Sequence, residues 1–384
     1  MPAEDERQIK NLPQRYVARQ TEGPATRDSV TQILLGASVA AACVPAAQRR
    51  RALGYGAVLG TLPDLDVLWR FSDPVAAFTY HRSASNSLLL LPWLALLLWW
   101  LVRRLDPALS VAPRRWLLAF LLALVTHPLL DALTIYGTQL WWPLDPTPVG
   151  LGSVFIIDPL YSLPLLLAVC WLARAPQGRA STRVLVSALA WSSAYLMWGW
   201  LAQQWVLQRA RSELANGPHA QAPLLATPSP FNSVLWRVVL RYPGGYAEAY
   251  DSLLADTAAG PWRYFDSADS LIDPLEQHWP VQRLRWFTHG WYAVDERNDE
   301  LVLSDLRMGS EPTYVFRFAV AERDGLGWQP MPARQLPTER PPMRVLSWLG
   351  ERAWQGGQCL PTPDQLLATP SVGASPAGLE CGDD

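Results

Sequence analysis

Charged residues and cysteines are both scarce in this sequence of 384 residues. Asp, Glu, Lys and Arg make up 17% of the chain, against about 25% in an ordinary soluble domain. The net charge of −2 provides no basic surface, so we expect no nucleic-acid partner. Only 4 cysteines are present, which excludes a disulfide scaffold, and an apolar content of 50% excludes a disordered chain.

The motifs of two common enzyme classes are absent as well. The sequence contains no Gly-x-Ser-x-Gly elbow, no P-loop and no dinucleotide-binding glycine fingerprint. Covalent serine hydrolysis and nucleotide chemistry therefore have no support in the sequence.

Long apolar segments are the main feature that the sequence does have. Four of them, with flanking residues, are long enough for a helix that crosses the roughly 30 Å hydrocarbon core of a membrane. Two shorter segments precede them and suggest a tilted or re-entrant hairpin. The sequence thus predicts a multi-pass α-helical membrane domain of about six helical segments at 28–210. The long segments are 87–102, 116–135, 155–173 and 184–206, and the short ones are 33–44 and 52–62.

The placement of arginine predicts the orientation of this domain. Arginines cluster in alternate loops, at 49–51, 103–115 and 174–183, whereas the loop at 136–154 contains none. Cytoplasmic loops of membrane proteins carry the excess of basic residues. We therefore expect the arginine-rich loops inside the cell, and everything after the last span on the outer, periplasmic face.

Residues 221–350 have a different pattern. Alternating polar and apolar residues at 236–241, 283–287 and 313–318 are typical of strands, and 295–300 is typical of a polar turn between strands. The sequence predicts a small, mainly-β (α+β) soluble domain here. It also predicts disordered tails at 355–384 and at 1–27, the second of which lacks the apolar run of a signal peptide.

Ionisable side chains interrupt the apolar region in three clusters. A charged group in a membrane segment is costly, so each cluster is a candidate functional site. Asp64 and Asp66 flank one residue, and a turn can point both carboxylates into one site. His127 and Asp131 are four residues apart, which places them on one face of a helix. The third cluster begins at His81.

The predicted topology brings the three clusters to the same side of the membrane. The aspartate pair ends a segment that runs outward, His81 begins one that runs inward, and His127 lies in the outward half of the next. Asp158, at the start of the following segment, reaches that side too. Imidazole and carboxylate groups together suit Zn²⁺, Mn²⁺ or Fe²⁺ better than Ca²⁺. Each cluster alone is also explained by a turn, a hydrogen-bonded pair or a helix cap.

Short motifs recur along the chain in a characteristic order: DSVTQ at 28–32, GTLPDLD at 60–66, HRSASNS at 81–87, THPLLD at 126–131, YGTQ at 136–139, IDPLY at 157–161, PFN at 230–232, LWR at 235–237 and DLRMG at 305–309. In this order they resemble the YdjM-like family, also called LexA-binding, of inner-membrane-associated metal-dependent hydrolases. The resemblance covers roughly residues 28–350. It implies a multi-pass protein of the bacterial inner (cytoplasmic) membrane with metal-dependent hydrolase activity, loosely similar to zinc-dependent phospholipase C enzymes.

The three clusters, together with the resemblance, predict a set of site residues. The expected ligands of a divalent metal ion, Zn²⁺ first and Mn²⁺ or Fe²⁺ as alternatives, are Asp64, Asp66, His81, His127 and Asp131. We expect Arg82 to hold a phosphate oxygen, and Asp158 to be an outer ligand or the general base. The residues expected to orient ligands, water or substrate are Gln32, Ser85, Asn86 and Thr126.

Two departures from the family pattern bear on activity. The family has His-Arg-Gly-x-Ser-His-Ser at 81–87, whereas here Ser83 replaces the glycine and Asn86 replaces the second histidine. Many relatives also carry histidine at the position of Gln32. Because asparagine is a poor zinc ligand, one ligand of a two-metal site is missing. The sequence predicts a single metal ion, weaker binding, or an inactive copy.

The predicted function is that of a membrane-bound metal-dependent hydrolase that acts on a phosphoester or lipid-type substrate reached from the bilayer. The alternative is a catalytically degenerate membrane scaffold whose β domain binds a protein partner. A transporter would have internal repeat symmetry, which the sequence does not show.

Overall fold

The computed structural model of the protein describes residues 25–155, 157–256, 260–325, 327–337, 343–356 and 363. The predicted tails at 1–27 and 355–384 lie almost wholly outside these residues. Within the described part, seven α-helices precede the first strand: α1 (Ala25–Cys43), α2 (Arg49–Thr61), α3 (Pro74–Tyr80), α4 (Leu91–Leu105), α5 (Pro113–Leu133), α6 (Pro159–Arg174) and α7 (Arg179–Leu214).

Helices α1 and α2 lie very close together because glycines line their contact. A Cβ atom at Gly36 would lie 2.3 Å from the carbonyl oxygen of Gly56, and one at Gly60 would lie 2.4 Å from that of Gln32. Gly56 and Gly60 form a Gly-x-x-x-Gly pair, the spacing that lets membrane helices approach closely. The two helices also pack against α5, which carries part of the predicted site.

The chain between α2 and α4 is irregular and carries the rest of the predicted site. A 3₁₀ helix, Leu62–Leu68, follows α2 directly. Asp73 then caps α3, because its carboxylate accepts the N–H groups of Val75 and Ala76. A second 3₁₀ turn, Ala84–Asn86, precedes α4.

The described part of the chain has two helices that are long and apolar enough to cross a membrane, α5 and α7. The α3–α4 pair makes a third candidate span if the two helices, bent by 61°, are taken together. The 16 residues of α6 extend about 24 Å, less than the roughly 30 Å of the hydrocarbon core. The structure therefore does not support about six spans, because several apolar segments fold into helices too short to cross.

Among the described residues after α7 there are two four-stranded antiparallel sheets, each with its strands in sequence order. The first sheet contains β1 (Leu224–Pro228), β2 (Leu235–Tyr242), β3 (Gly245–Ser252) and β4 (Arg263–Asp266). The second contains β5 (Tyr292–Arg297), β6 (Glu300–Asp305), β7 (Arg317–Asp324) and β8 (Gly327–Gln335). Helix α8 (Trp279–Phe287) lies between the sheets in sequence, and α9 (Met343–Trp354) follows β8.

The local predictions for this region have mixed outcomes. The turn between β5 and β6 is confirmed, since Asn298 and Asp299 both have the positive φ of a tight hairpin turn. The strand predicted at 283–287 is wrong, because these residues form the end of α8. Val281, Leu284 and Phe287 are buried at helical spacing and pack on the second sheet.

The helices and sheets share apolar cores. Val206 and Ala210 of α7 pack with Trp236 and Val238 of the first sheet. Phe78 of α3 packs in the core of the second sheet, as described below. The predicted domain boundary at 210–221 falls beside the end of α7.

Candidate metal centre

Three side chains from two parts of the chain form a buried Asp-His-Asp group. His127 and Asp131 project from one face of α5, and Asp64 comes from the 3₁₀ helix that follows α2. The Nε2 atom of His127 lies 3.2 Å from Oδ1 of Asp64 and 3.2 Å from Oδ2 of Asp131. One ligand atom from each residue lies within 4.8 Å of the others, and all three residues are buried. This group could hold a metal ion.

The orientation of the His127 ring is fixed from its other side. Its Nδ1 atom lies 2.6 Å from the carbonyl oxygen of Gly60, and a carbonyl can only accept a hydrogen bond. Nδ1 therefore carries a proton, and in a neutral ring Nε2 has a lone pair that faces two carboxylates. Three acceptors facing one another require a proton, on Nε2 or on a carboxyl group, or a bound cation between them.

Asp131 is held from several directions. The amide nitrogen of Gln32 donates to Oδ1 at 2.8 Å, and that of Asn86 donates to Oδ2 at 3.2 Å. The Nε atom of Arg82 lies 3.1 Å from Oδ2 in an ion pair that is almost completely buried. Gln32 and Asn86 thus both position this carboxylate through their amides.

Several buried oxygens around the group accept no hydrogen bond. Among the described residues they include Oδ2 of Asp64, Oε1 of Gln32 and Oδ1 of Asn86. Buried acceptors without a donor are costly, and in native proteins each calls for an explanation such as an ion or a water molecule. Their clustering around Asp64, His127 and Asp131 fits a cation.

Asp66 and His81 form a separate pair beside the Asp-His-Asp group. Nδ1 of His81 lies 2.8 Å from Oδ1 of Asp66, while Oδ2 of Asp66 accepts the N–H of Arg82 at 2.8 Å and the hydroxyl of Ser85 at 2.9 Å. Arg82 links the Asp66–His81 pair to the Asp-His-Asp group, because its backbone N–H contacts Asp66 and its guanidinium contacts Asp131.

The remaining predicted site residues make other contacts. Asp158 caps α6 by accepting the N–H of Leu160 at 2.9 Å, and it accepts the hydroxyl of Tyr195 at 2.6 Å. The hydroxyl of Thr126 donates within its own helix to the carbonyl of Leu122. Neither belongs to the Asp-His-Asp group.

Gly60 contributes to the site, although it was not among the predicted site residues. Its carbonyl orients His127, and its lack of a side chain lets α1 bring Gln32 to Asp131. The Gly-x-x-x-Gly spacing of Gly56 and Gly60 was the signal that could have revealed this contact.

The part of the chain that carries the site matches the model of a known family. Residues 28–206 match the YdjM inner membrane protein family. The resemblance to YdjM is thereby confirmed over just under half of the chain, which includes every predicted site residue. The match ends within α7 and does not include the sheets. The YdjM match and the apolar helices fit a protein of the inner membrane. No curated protein and no solved structure matches the chain.

Proposed function

We propose that the protein is a membrane-bound metal-dependent hydrolase with one divalent metal ion, Zn²⁺ in the first instance, held by Asp64, His127 and Asp131. The observation that carries this proposal is the convergence of two carboxylates on His127 Nε2, whose partner nitrogen is fixed by a carbonyl. The YdjM match supports the membrane location.

The spacing of the ligand atoms fits a metal ion. Two ligand atoms bound about 2.1 Å from a tetrahedral ion are about 3.4 Å apart. The separations from His127 Nε2 to the oxygens of Asp64 and Asp131 are both 3.2 Å. One histidine and two carboxylates leave a coordination position for water, as catalytic zinc sites require.

Each surrounding residue has a role in this proposal. The carbonyl oxygen of Gly60 accepts a hydrogen bond from Nδ1–H of His127 and so keeps the Nε2 lone pair available. Gln32 and Asn86 hold the plane of the Asp131 carboxylate, and Arg82 balances its charge. Because Arg82 is buried against Asp131, we assign it to positioning this ligand in addition to the phosphate contact inferred from the sequence.

A divalent ion bound here would lower the pKa of a water ligand towards about 7 and polarise a phosphoryl or acyl group. Asp66 and His81 remain predicted ligands or water-binding groups next to this position. Asp158 remains a predicted base, although its carboxylate is engaged by Tyr195.

The depth of the group supports a lipid-type phosphoester as substrate. His127 lies six residues before the end of α5, about 9 Å along the helix axis. A site at this depth in a membrane-spanning helix is reached from the bilayer more readily than from water.

Metal analysis of the purified full-length protein tests the proposal. We expect about one transition-metal ion per chain by plasma mass spectrometry, and metal-dependent cleavage of a phospholipid in mixed micelles. Asp64→Asn keeps the side-chain shape while removing a ligand charge, and His127→Ala removes the central ligand. Both variants should lose metal and activity together.

His219→Ala is the matched control, because it removes an imidazole that stacks on Tyr242 in the sheet region. It should retain both metal and activity. A wild-type protein that contains no more metal than the folded Asp64→Asn variant would refute the hydrolase proposal.

The second candidate function is a degenerate membrane scaffold. It is favoured by one observation, that the buried side chains next to Asp131 from Gln32 and Asn86 are amides, which are poor zinc ligands. In that case His127 would carry a proton on Nε2 and the protein would purify without metal, so the same measurement separates the two functions.

A further inference from the structure

In the segment that carries Asp64, the chain exposes several large apolar side chains. These residues begin in the 3₁₀ helix after α2, where Asp64 is buried but Leu65, Val67 and Leu68 are exposed. The exposed fractions of Leu68 and Trp69 are 74% and 73%. We call this surface the apolar rim, and it consists of Leu65, Val67, Leu68, Trp69 and Phe71.

The apolar rim is the reverse of a surface that faces water. On such a surface the carboxylates of a short helix point outward and its apolar side chains point inward. Here Asp64 and Asp66 turn inward onto imidazoles, while the apolar rim points away from the protein. Contiguous exposed apolar patches mark contacts with proteins or membranes.

The position of the apolar rim on α5 favours a membrane. Asp64, which precedes the rim, contacts His127 at 3.2 Å, and His127 lies six residues before the end of α5, about 9 Å along its axis. Because α5 is a candidate span, a segment seated on it at this depth lies among acyl chains or just beneath the headgroups.

The far end of the apolar rim has the composition of a headgroup region. Exposed Arg70 follows Trp69, and the ring of Phe71 stacks on Tyr80 with 5.7 Å between centroids. The guanidinium of Arg283, from α8, lies 4.5 Å from the centre of the Tyr80 ring. Aromatic rings and arginines gather where membrane meets water.

We propose that the apolar rim contacts the hydrocarbon of the bilayer beside the Asp-His-Asp group, and that an amphiphilic phosphoester enters along it. The second half of this proposal rests on the proposed hydrolase function, whereas the first half does not.

Depth-dependent quenching tests the contact with lipid. The four native cysteines are replaced by alanine, Leu68→Cys is labelled with an environment-sensitive fluorophore, and the full chain is placed in vesicles of phosphatidylcholine and phosphatidylglycerol. Nitroxide groups on the lipid acyl chains should quench the label strongly, whereas aqueous iodide should not.

Two exposed leucines provide the matched controls. Leu129, two residues beyond His127 on α5, should report the same depth when labelled as Leu129→Cys. Leu254, in the loop after β3, is similarly exposed and should respond to iodide alone. We expect quenching by lipid nitroxide at position 68 to resemble that at 129 and to exceed that at 254 several-fold.

Two results would overturn the membrane contact. Quenching of the label at position 68 by iodide would place the apolar rim in water. Protection from both quenchers would mean that protein covers the rim, for example a second copy of this chain.

A substrate comparison tests the entry path. Leu68→Ser should lower the ratio of kcat/KM for a long-chain phosphoester to that for a short, water-soluble one by about tenfold, the worth of one buried leucine. An unchanged ratio overturns the entry path. If the wild type cleaves neither substrate, the proposed function fails, and the quenching result alone decides whether the apolar rim contacts lipid.

Discussion

The side-chain amide of Gln32 donates a hydrogen bond of 2.8 Å to Oδ1 of Asp131, across 99 positions of sequence. Both residues are almost completely buried, so no water can easily replace this donor. A side chain of α1 therefore orients a candidate metal ligand on α5.

Gln32→Leu should weaken metal binding without unfolding the protein. Loss of a hydrogen bond that orients a ligand typically costs roughly 10–100-fold in metal affinity. Chelator competition on the purified protein measures this change. Gln48→Leu is the control, since Gln48 also bonds to α5, at the indole of Trp116, about 16 Å from His127. Equal loss of affinity in both variants would indicate general loosening of the helices and contradict the assignment.

Asn86→His should increase the amount of metal bound. Asn86 is fully buried beside Asp131, and its own oxygen accepts no hydrogen bond. An imidazole there would add a nitrogen ligand beside Asp131. Titration with Zn²⁺ followed by mass spectrometry should show tighter binding or a second ion per chain. A folded variant with unchanged stoichiometry and affinity would show that this position does not face the metal.

Gly60→Ala should disturb both stability and metal binding. The added Cβ would lie 2.4 Å from the backbone carbonyl oxygen of Gln32, which cannot move aside cheaply. We expect a loss of about 1–3 kcal/mol, typical of overpacking, together with weaker metal binding because Gly60 also orients His127. Thermal unfolding in detergent and chelator competition measure the two effects.

Gly54→Ala is the control for this substitution. Gly54 lies in the same helix, and its added Cβ would have no neighbour within 4 Å. Alanine is the better helix former by about 1 kcal/mol, so this variant should be at least as stable as the wild type. Similar losses of stability from the two substitutions would show that the close contact between α1 and α2 is not the cause.

The parts of this site that the sequence predicted are those fixed by the local geometry of one helix. The spacing of His127 and Asp131 on one helix face is fixed by helix periodicity, and the structure pairs these residues as expected. The aspartates were harder to predict, because a turn was expected to point both into one site. In a 3₁₀ helix, with three residues per turn, residues two apart point in different directions. Asp64 therefore meets His127 while Asp66 meets His81.

In the fold, too, the features that depend on long-range packing were not predicted from local sequence. Residues 283–287 alternate as a strand does, yet Val281, Leu284 and Phe287 also follow a helical spacing, and packing on the second sheet selects the helix. The apolar composition of the segments likewise could not give the number of membrane spans, because it does not reveal where a helix breaks. No local pattern indicated that α3 would enter the core of the second sheet.

Phe78→Ala should lower both the stability of the protein and its affinity for metal, because Phe78 packs the site region against the second sheet. The Phe78 ring lies 4.8 Å from that of Phe287 and 4.5 Å from that of Phe316. Its loss should cost about 3–5 kcal/mol. Because α3 joins the segments that carry Asp66 and His81, we also expect weaker metal binding, measured by chelator competition. The milder Phe78→Leu should show both effects to a smaller degree.

Phe265→Ala controls for the loss of an aromatic ring elsewhere. Phe265 stacks on Tyr246 in the first sheet, with 5.3 Å between ring centroids. It should lower stability without changing metal affinity. Metal affinity that is unchanged in Phe78→Leu as well would show that the sheets do not position the site.

Glu311→Gln should alter the pH dependence of stability. Burial raises the pKa of the Glu311 carboxyl, and the hydrogen bond of 2.9 Å from the Tyr246 hydroxyl only partly opposes this. A carboxyl with a raised pKa in the folded state binds its proton more tightly there than in the unfolded chain. Its stabilising contribution is thus complete below the unfolded pKa of about 4.3 and is lost as pH rises through the folded pKa.

Glutamine is neutral at every pH, so the melting temperature of the variant relative to the wild type should rise between pH 4 and pH 8. A constant difference across this range, measured by thermal unfolding in detergent, would mean that Glu311 is ionised equally easily in both states.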